Sequence, residues 1–268
     1  MEYRILGNSG LKVSRLCFGS LTIGPLQAAL GLEEGASVIR TAIDIGVNFI
    51  DTAELYSTYN YIKKAIEGRR KDIIISTKCY AYTREGAEKS LRKAMEELNT
   101  DYIDIFSLHE QESELTIKGH YEAMEYFIRA KEKGYIRSFG ISTHAIGAVK
   151  ASLKYKDIEV LHPILNKRGL GIIDGDINEM LEAVAEAYKK GKGIYSMKPL
   201  GGGNMIKESN QCFDFVLSND NLHSIAVGMQ SKEEVANNVM IFEGKQVPED
   251  IRLKLEGKKR RLLIDYWC

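Results

Sequence analysis

The chain has 268 residues, 44% of them hydrophobic and 28% charged, which is enough apolar material for a large core. Lysine plus arginine and aspartate plus glutamate balance at 37 each, so no overall field favours a nucleic acid or an anionic membrane surface. Residues 1–5 do not read as a secretion signal, and no apolar run reaches transmembrane length. Cys17, Cys79, Cys212 and Cys268 form no CxxC pair, so reduced thiols in a cytoplasmic protein are expected.

Residues 2–13 alternate weakly about Gly7-Asn8-Ser9-Gly10, the pattern of a small hairpin. A short strand over 15–19 is followed by a loop. A helix over 33–45 comes next, where Val38, Ala42 and Ile45 share a face and Gly46 supplies the stop. The apolar run 47–50 reads as a buried strand ending at Asp51, ahead of a short helix over 59–66. A strand over 73–78 ends on Lys78 and precedes an amphipathic helix over 84–98. The strand over 102–109 ends on His109 and precedes a helix over 121–133. Strands over 136–142, 158–161, 193–198 and 223–228 then alternate with helices over 146–155, 177–190, 211–217 and 233–241. The basic tail from Pro248 reads as a helix running to Ile264, with Lys258-Lys259-Arg260-Arg261 on a solvated face.

These strands end near Gly19, Asp51, Lys78, Leu108, Ser142, Pro163, Lys198 and Gly228. A recurrence of about thirty residues per unit asks for parallel βα units, and eight of them favour a closed (β/α)8 TIM barrel over an open doubly wound sheet. The expected organisation is one α/β barrel domain over residues 1–268, with a small N-terminal β-hairpin and a C-terminal helical tail.

In such a barrel the active site lies at the C-terminal strand ends. Three successive strands deliver Asp51, Lys78 and His109 there, and Tyr56 lies in the loop after the first of them. An aspartate at a strand tip taken alone is more simply a turn or cap residue; the succession of three is what speaks for a site. An ion pair between Lys78 and Asp51 beside a buried Tyr56 hydroxyl favours the phenolate, making the tyrosine a usable general acid toward a carbonyl oxygen. His109 is placed to donate a second hydrogen bond to the same oxygen. No nucleophile with its own base accompanies them, and no metal set is present: His109-Glu110 begins like HExxH, but Ser113 stands where the second histidine belongs.

Asp51, Tyr56, Lys78 and His109 resemble the catalytic tetrad of the aldo-keto reductases. The stretch Gly46-Val47-Asn48-Phe49-Ile50-Asp51-Thr52-Ala53, together with Ser76-Thr77-Lys78 and Leu108-His109-Glu110, is similar to that family's strand ends, and the likeness runs over residues 3–241. The resemblance implies a barrel enzyme that reduces a small aldehyde or ketone with NADP(H) or NAD(H), with no nucleic acid, membrane or metal involved. It assigns the nicotinamide carboxamide to Ser142 and Thr143, the latter in place of an asparagine, with Leu161 set loosely where relatives carry a glutamine. It assigns the pyrophosphate to Lys198, Leu200, Gly201 and Gly202, and the adenosine end to Gly228, Gln230, Ser231, Glu234 and Asn238. Glu234 takes the place of an arginine that holds a 2′-phosphate in many relatives, so the choice between the two dinucleotides stays open.

Several of these residues have simpler readings. The glycines make a flexible loop, Ser231 caps a helix, and Lys198 pairs with a carboxylate. The end of the chain, Arg261-Leu262-Leu263-Ile264-Asp265-Tyr266-Trp267-Cys268, resembles the point where clostridial-type relatives continue into a ferredoxin-like iron–sulfur module. Four scattered cysteines supply no cluster of their own. Tyr59, Asn60 and Tyr61 are expected to make the substrate mouth aromatic. Two rivals stand beside the reductase. One is a nonenzymatic cofactor-sensing module on the same fold. The other is a glycosidase pairing Glu110 with Glu54 or Asp174, disfavoured because the single tryptophan, Trp267, leaves little for stacking a sugar.

Overall fold

The structure is a computed structural model and describes residues 1–256. Strands β1 (Tyr3–Ile5) and β2 (Lys12–Ser14) pair antiparallel as the expected hairpin, Arg4 opposite Val13. Gly7 turns it with φ +51°, and a Cβ there would stand 2.3 Å from the Gly193 nitrogen, so this approach admits only glycine. The chain continues as β3 (Leu16–Gly19), α1 (Leu32–Asp44), β4 (Phe49–Asp51), α2 (Tyr59–Ala65), β5 (Ile74–Cys79) and α3 (Arg84–Leu98). Next come β6 (Ile103–Leu108), α4 (Glu114–Gly119), α5 (Tyr121–Glu132), β7 (Ile136–Thr143), α6 (Ile146–Ser152) and β8 (Val160–Pro163). Then follow α7 (Ile177–Lys189), β9 (Gly193–Ser196), α8 (Ser209–Leu217), β10 (Ser224–Gly228), α9 (Lys232–Phe242) and α10 (Glu249–Glu256).

Strands β3 to β10 close into a parallel barrel in chain order, with β10 pairing back onto β3. The (β/α)8 expectation holds, hairpin included. Helix α4 is absent from the sequence reading. Its capping box uses Ser113 with Thr116 where the familiar pattern has glutamate or glutamine, so the start signal is easily passed over. Of the tail helix expected over 248–264, α10 is seen; the rest, including the basic run and the terminal Arg261-to-Cys268 segment, lies outside the described residues.

Strand alternation builds the interior in layers. Leu6, Leu11 and Val13 from the hairpin region join Cys17, Phe49, Ile74, Ile105, Val160, Tyr195 and Ala226 in one buried cluster. That cluster plugs the N-terminal end of the barrel. Each fully buried aliphatic side chain there stabilises the fold by about 1.5–3 kcal/mol. Two residues further along each strand the inward positions turn polar: Phe49 gives way to Asp51, Ile74 to Ser76 and then Lys78, Ile105 to Ser107, Val160 to His162. The outward positions, such as Ile50, Ile75, Phe106 and Leu161, pack with the helices as the mantle.

The N-terminal rim is clamped by Asp104, fully buried at the start of β6. Its Oδ1 accepts from Arg137 Nη1 at 2.7 Å, and its Oδ2 accepts from Arg70 Nη2 at 2.9 Å and the Ile75 amide at 3.0 Å. The caps agree with the sequence: Asp176 and Glu179 form a capping box on α7, and Asn99 ends α3 in the left-handed conformation.

Candidate active site at the C-terminal strand ends

Strand β4 ends on Asp51 and β5 carries Lys78 on the same interior face. Lys78 Nζ lies 2.9 Å from both carboxylate oxygens of Asp51 and 2.7 Å from the Thr52 carbonyl. It also stands 5.0 Å from the centre of the Tyr56 ring. All three side chains are buried. Tyr56 ends a one-turn helix, Glu54–Tyr56, closed by Ser57 in the left-handed region at φ 54°. That turn is held from below by three hydroxyls: Thr58 Oγ1 lies 2.8 Å from Ser20 Oγ and 2.7 Å from Thr52 Oγ1.

His109 follows β6 directly, its ring stacked on Tyr80 with centres 4.5 Å apart and edge-on to Tyr56 at 5.8 Å. Burial first, then the Lys78 cation, push its pKa well below the ordinary imidazole value, so the ring is neutral. Its Nδ1 is buried with no protein partner. A buried N–H without a partner is rarer than an unsatisfied acceptor, so the single proton belongs on Nε2. The structure thus brings the four expected residues together, with a donor nitrogen available on His109.

A cleft of about 1040 Å³, open mouth included, runs from Asp51, Tyr56 and His162 past Lys198, Leu200, Gly202 and Gly203 to Gly228, Gln230 and Glu234. Gly201, Gly202 and Gly203 have φ of 56°, 64° and 102°, a run that only glycines adopt readily. Lys198 itself is left-handed at φ 55°, and its ammonium donates to His144 Nε2 at 3.0 Å. The His144 proton therefore lies on Nδ1, and burial with the Lys198 charge pushes its pKa down to about 3.

The remaining expected residues are placed less uniformly. Ser142 Oγ accepts from the Glu110 amide at 3.0 Å and keeps its own proton to give. The Thr143 hydroxyl is occupied locally, donating to the Ala145 carbonyl and accepting from the Ala145 amide. Ser231 caps α9 by accepting from the Glu234 amide, and Glu234 Oε2 accepts from the Gln230 amide at 2.8 Å. Gly201 is buried, where a Cβ would meet Met205 and Leu170. Asn238 is buried and accepts from Asn237.

Three corrections follow. Leu161 faces the helix mantle, and its neighbour His162 lines the cleft instead; a strand shifted by one residue presents its other face. Tyr59 and Tyr61 do not form the mouth. Tyr59 is buried with its hydroxyl 2.7 Å from Thr77 Oγ1, and Tyr61 donates to the Leu30 carbonyl; Tyr80 and Tyr82, just after β5, are exposed instead. The glycosidase pairing has no geometric basis either. Glu54 is bonded to Ser90 and Lys93, Asp174 caps α6, and Glu110 accepts from Tyr80. Among the described residues, the carboxylates lining the cleft are Asp51 and Glu234.

Sequence reasoning missed Tyr195, Ser76 and the hydroxyls of Ser20, Thr52 and Thr58. All but Thr58, which precedes α2, sit in or beside an apolar strand, where a hydroxyl gives no signal without its partners.

Comparison with known proteins agrees with this geometry. The Aldo/keto reductase family profile matches residues 15–216. L-galactose dehydrogenase of Arabidopsis thaliana is 25% identical to this chain, over 89% of the chain and 87% of its own length. A protein of the same plant named "Probable voltage-gated potassium channel subunit beta" is 32% identical, over 79% of this chain and 67% of its own length. The solved structure of an aldo-keto reductase from Bacillus halodurans, holo form, superposes with a TM-score of 0.77 at 22% identity, covering 96% of this chain and 95% of that one. With eight strands closed in chain order and a family match across most of its length, the chain belongs to the aldo/keto reductase family.

Proposed function

We propose that the chain is an NAD(P)H-dependent oxidoreductase that reduces aldehyde or ketone carbonyls to alcohols, with Tyr56 as general acid. The observation that carries this reading is the buried Lys78 ammonium, held by Asp51 on one side and facing the Tyr56 ring at 5.0 Å on the other, where the cleft begins. As negative charge develops on the carbonyl oxygen, Tyr56 gives up its proton and the Lys78 cation stabilises the phenolate left behind. His109 donates from Nε2 to the same oxygen and fixes the carbonyl's orientation.

A bound nicotinamide dinucleotide supplies the hydride. The cleft suits such a ligand. The left-handed glycine run lets the backbone approach a pyrophosphate closely, with the Gly201 and Gly203 amides donating within the loop to the Lys198 and Leu200 carbonyls, and Gly228 is so close to Thr22 that a Cβ would stand 2.2 Å from its Cγ2. Lys198, Leu200, Gly201 and Gly202 would hold the phosphates, with Ser142 and His162 at the carboxamide end. Gly228, Gln230, Ser231, Glu234 and Asn238 would form the adenosine end. The Glu234 carboxylate favours a ribose diol over a 2′-phosphate, which argues for NAD(H).

Fluorescence quenching with NADH and NADPH, followed by stopped-flow oxidation against an aldehyde panel, tests this reading. Tyr56→Phe is expected to keep dinucleotide binding and to lose turnover by about 100-fold or more; undiminished turnover would overturn the assignment of the acid. The relative named as a channel subunit supports a second reading, a nicotinamide-sensing module. Tight dinucleotide binding with no turnover of any carbonyl would favour it.

A further inference from the structure

Below the cleft the barrel holds a polar column that carbonyl reduction, as described above, does not use. Tyr195 on β9 is fully buried, stacked on His162 with ring centres 3.9 Å apart and tilted against Phe49 at 4.9 Å. Its hydroxyl lies 2.9 Å from Asp51 Oδ1 and 2.7 Å from Ser76 Oγ. Proton accounting gives the column a direction. A carboxylate paired with lysine only accepts, so the single Tyr195 proton goes to Asp51, and Ser76 must then donate to Tyr195. Asp51 therefore shares its charge between two donors, Lys78 and Tyr195, in a water-poor interior where hydrogen bonds to ions are strong.

We propose that Tyr195 is a positioning residue for the acid step: by drawing on the Asp51 charge it leaves the Lys78 cation less neutralised, and so keeps Tyr56 the stronger acid. The proposal rests on Tyr56 being the group whose proton is used. The titratable groups facing Asp51 come from four strands: Lys78 from β5, Tyr195 from β9, His162 from β8 and Cys17 from β3, with Tyr56 beyond Lys78. His162 does not compete for the charge. Its Nδ1 is 2.7 Å from the Tyr195 carbonyl and must donate there, so Nε2, 3.7 Å from Asp51, carries a lone pair. Burial pushes the His162 pKa down to about 4, which keeps it in that form near neutrality. Burial also holds the Cys17 thiol neutral by raising its pKa.

The test is an ultraviolet titration of the Tyr56 phenolate, obtained by subtracting the Tyr56→Phe spectrum in each background. It is paired with the pH profile of kcat. Tyr195→Phe is expected to move the Tyr56 titration, and the basic limb of the profile, upward by about 0.5–1 pH unit, with kcat about 3- to 10-fold lower. KM should change little. Ser76→Ala is expected to shift both in the same direction by less, because it weakens the donor without removing it. A folded Tyr195→Phe protein whose Tyr56 titration stays in place would overturn the proposal and reduce Tyr195 to packing. If Tyr195→Phe does not fold, the same titration in Ser76→Ala decides the matter. Wild-type protein without carbonyl turnover, but with the titration shift intact, would sink the reductase reading while leaving the role of Tyr195 standing.

Discussion

Three oxygens hold the Lys78 ammonium, two of Asp51 and one of Thr52, with almost no exposure to solvent. Lys78→Met would leave the Asp51 carboxylate buried without its cation, an expected loss of about 3–5 kcal/mol in denaturant unfolding. Adding Asp51→Asn should restore much of that stability and none of the turnover. A double variant as unstable as the single one would mean the pair is not what holds this corner. The four proposed catalytic residues were legible because each is a polar side chain that ends or closely follows an apolar strand. His162 was displaced by one position, because the strand's parity is set by its neighbours β7 and β9 and not by its own four residues. Tyr195 was invisible for a different reason: a tyrosine within an apolar strand looks like packing until its hydroxyl is seen to meet a carboxylate from another strand.

The elements hold these side chains through their ends. Ser231 is both the N-cap of α9 and an expected adenosine contact, and stability separates the two roles. Ser231→Ala should cost about 1 kcal/mol of unfolding free energy; dinucleotide affinity left unchanged would make it a cap alone. The hairpin acts at the opposite end of the barrel. Leu6→Ala opens a void beneath Phe49 and Tyr195 and should cost about 2–5 kcal/mol by chemical denaturation, while an effect within error would mean the plug collapses to fill it. Strand existence was legible from apolar runs and their spacing, and the strand ends agree within two residues. Helix α4 was not legible, since its capping box lacks the acidic partner and its six residues carry a single fully buried apolar side chain, Ile117.

Across the molecule, buried neutral histidines set the response to acid. Burial lowers the pKa of His162 and His223 from 6.5 to about 4 and that of His144 to about 3. As pH falls below 6.5 the unfolded chain takes up protons that the folded protein refuses. Stability is therefore full above that value and is lost progressively toward pH 4. For His162, which is fully buried, the difference amounts to on the order of 3 kcal/mol. Thermal melts across this interval should show Tm falling before the carboxylates titrate; a flat Tm down to pH 4 would contradict it. The barrel and its closure were legible from eight recurring units, but no local pattern records the register in which the first and final strands meet. That seam has a consequence for synthesis. The Ser224 hydroxyl donates to the Ser14 carbonyl 210 residues earlier, and β10 is the partner β3 requires on its second edge. A ribosome releases β3 long before β10, so the nascent chain carries an unpaired strand edge until β10 emerges. The growing polypeptide, more than the finished protein, is the form that needs protection from its neighbours.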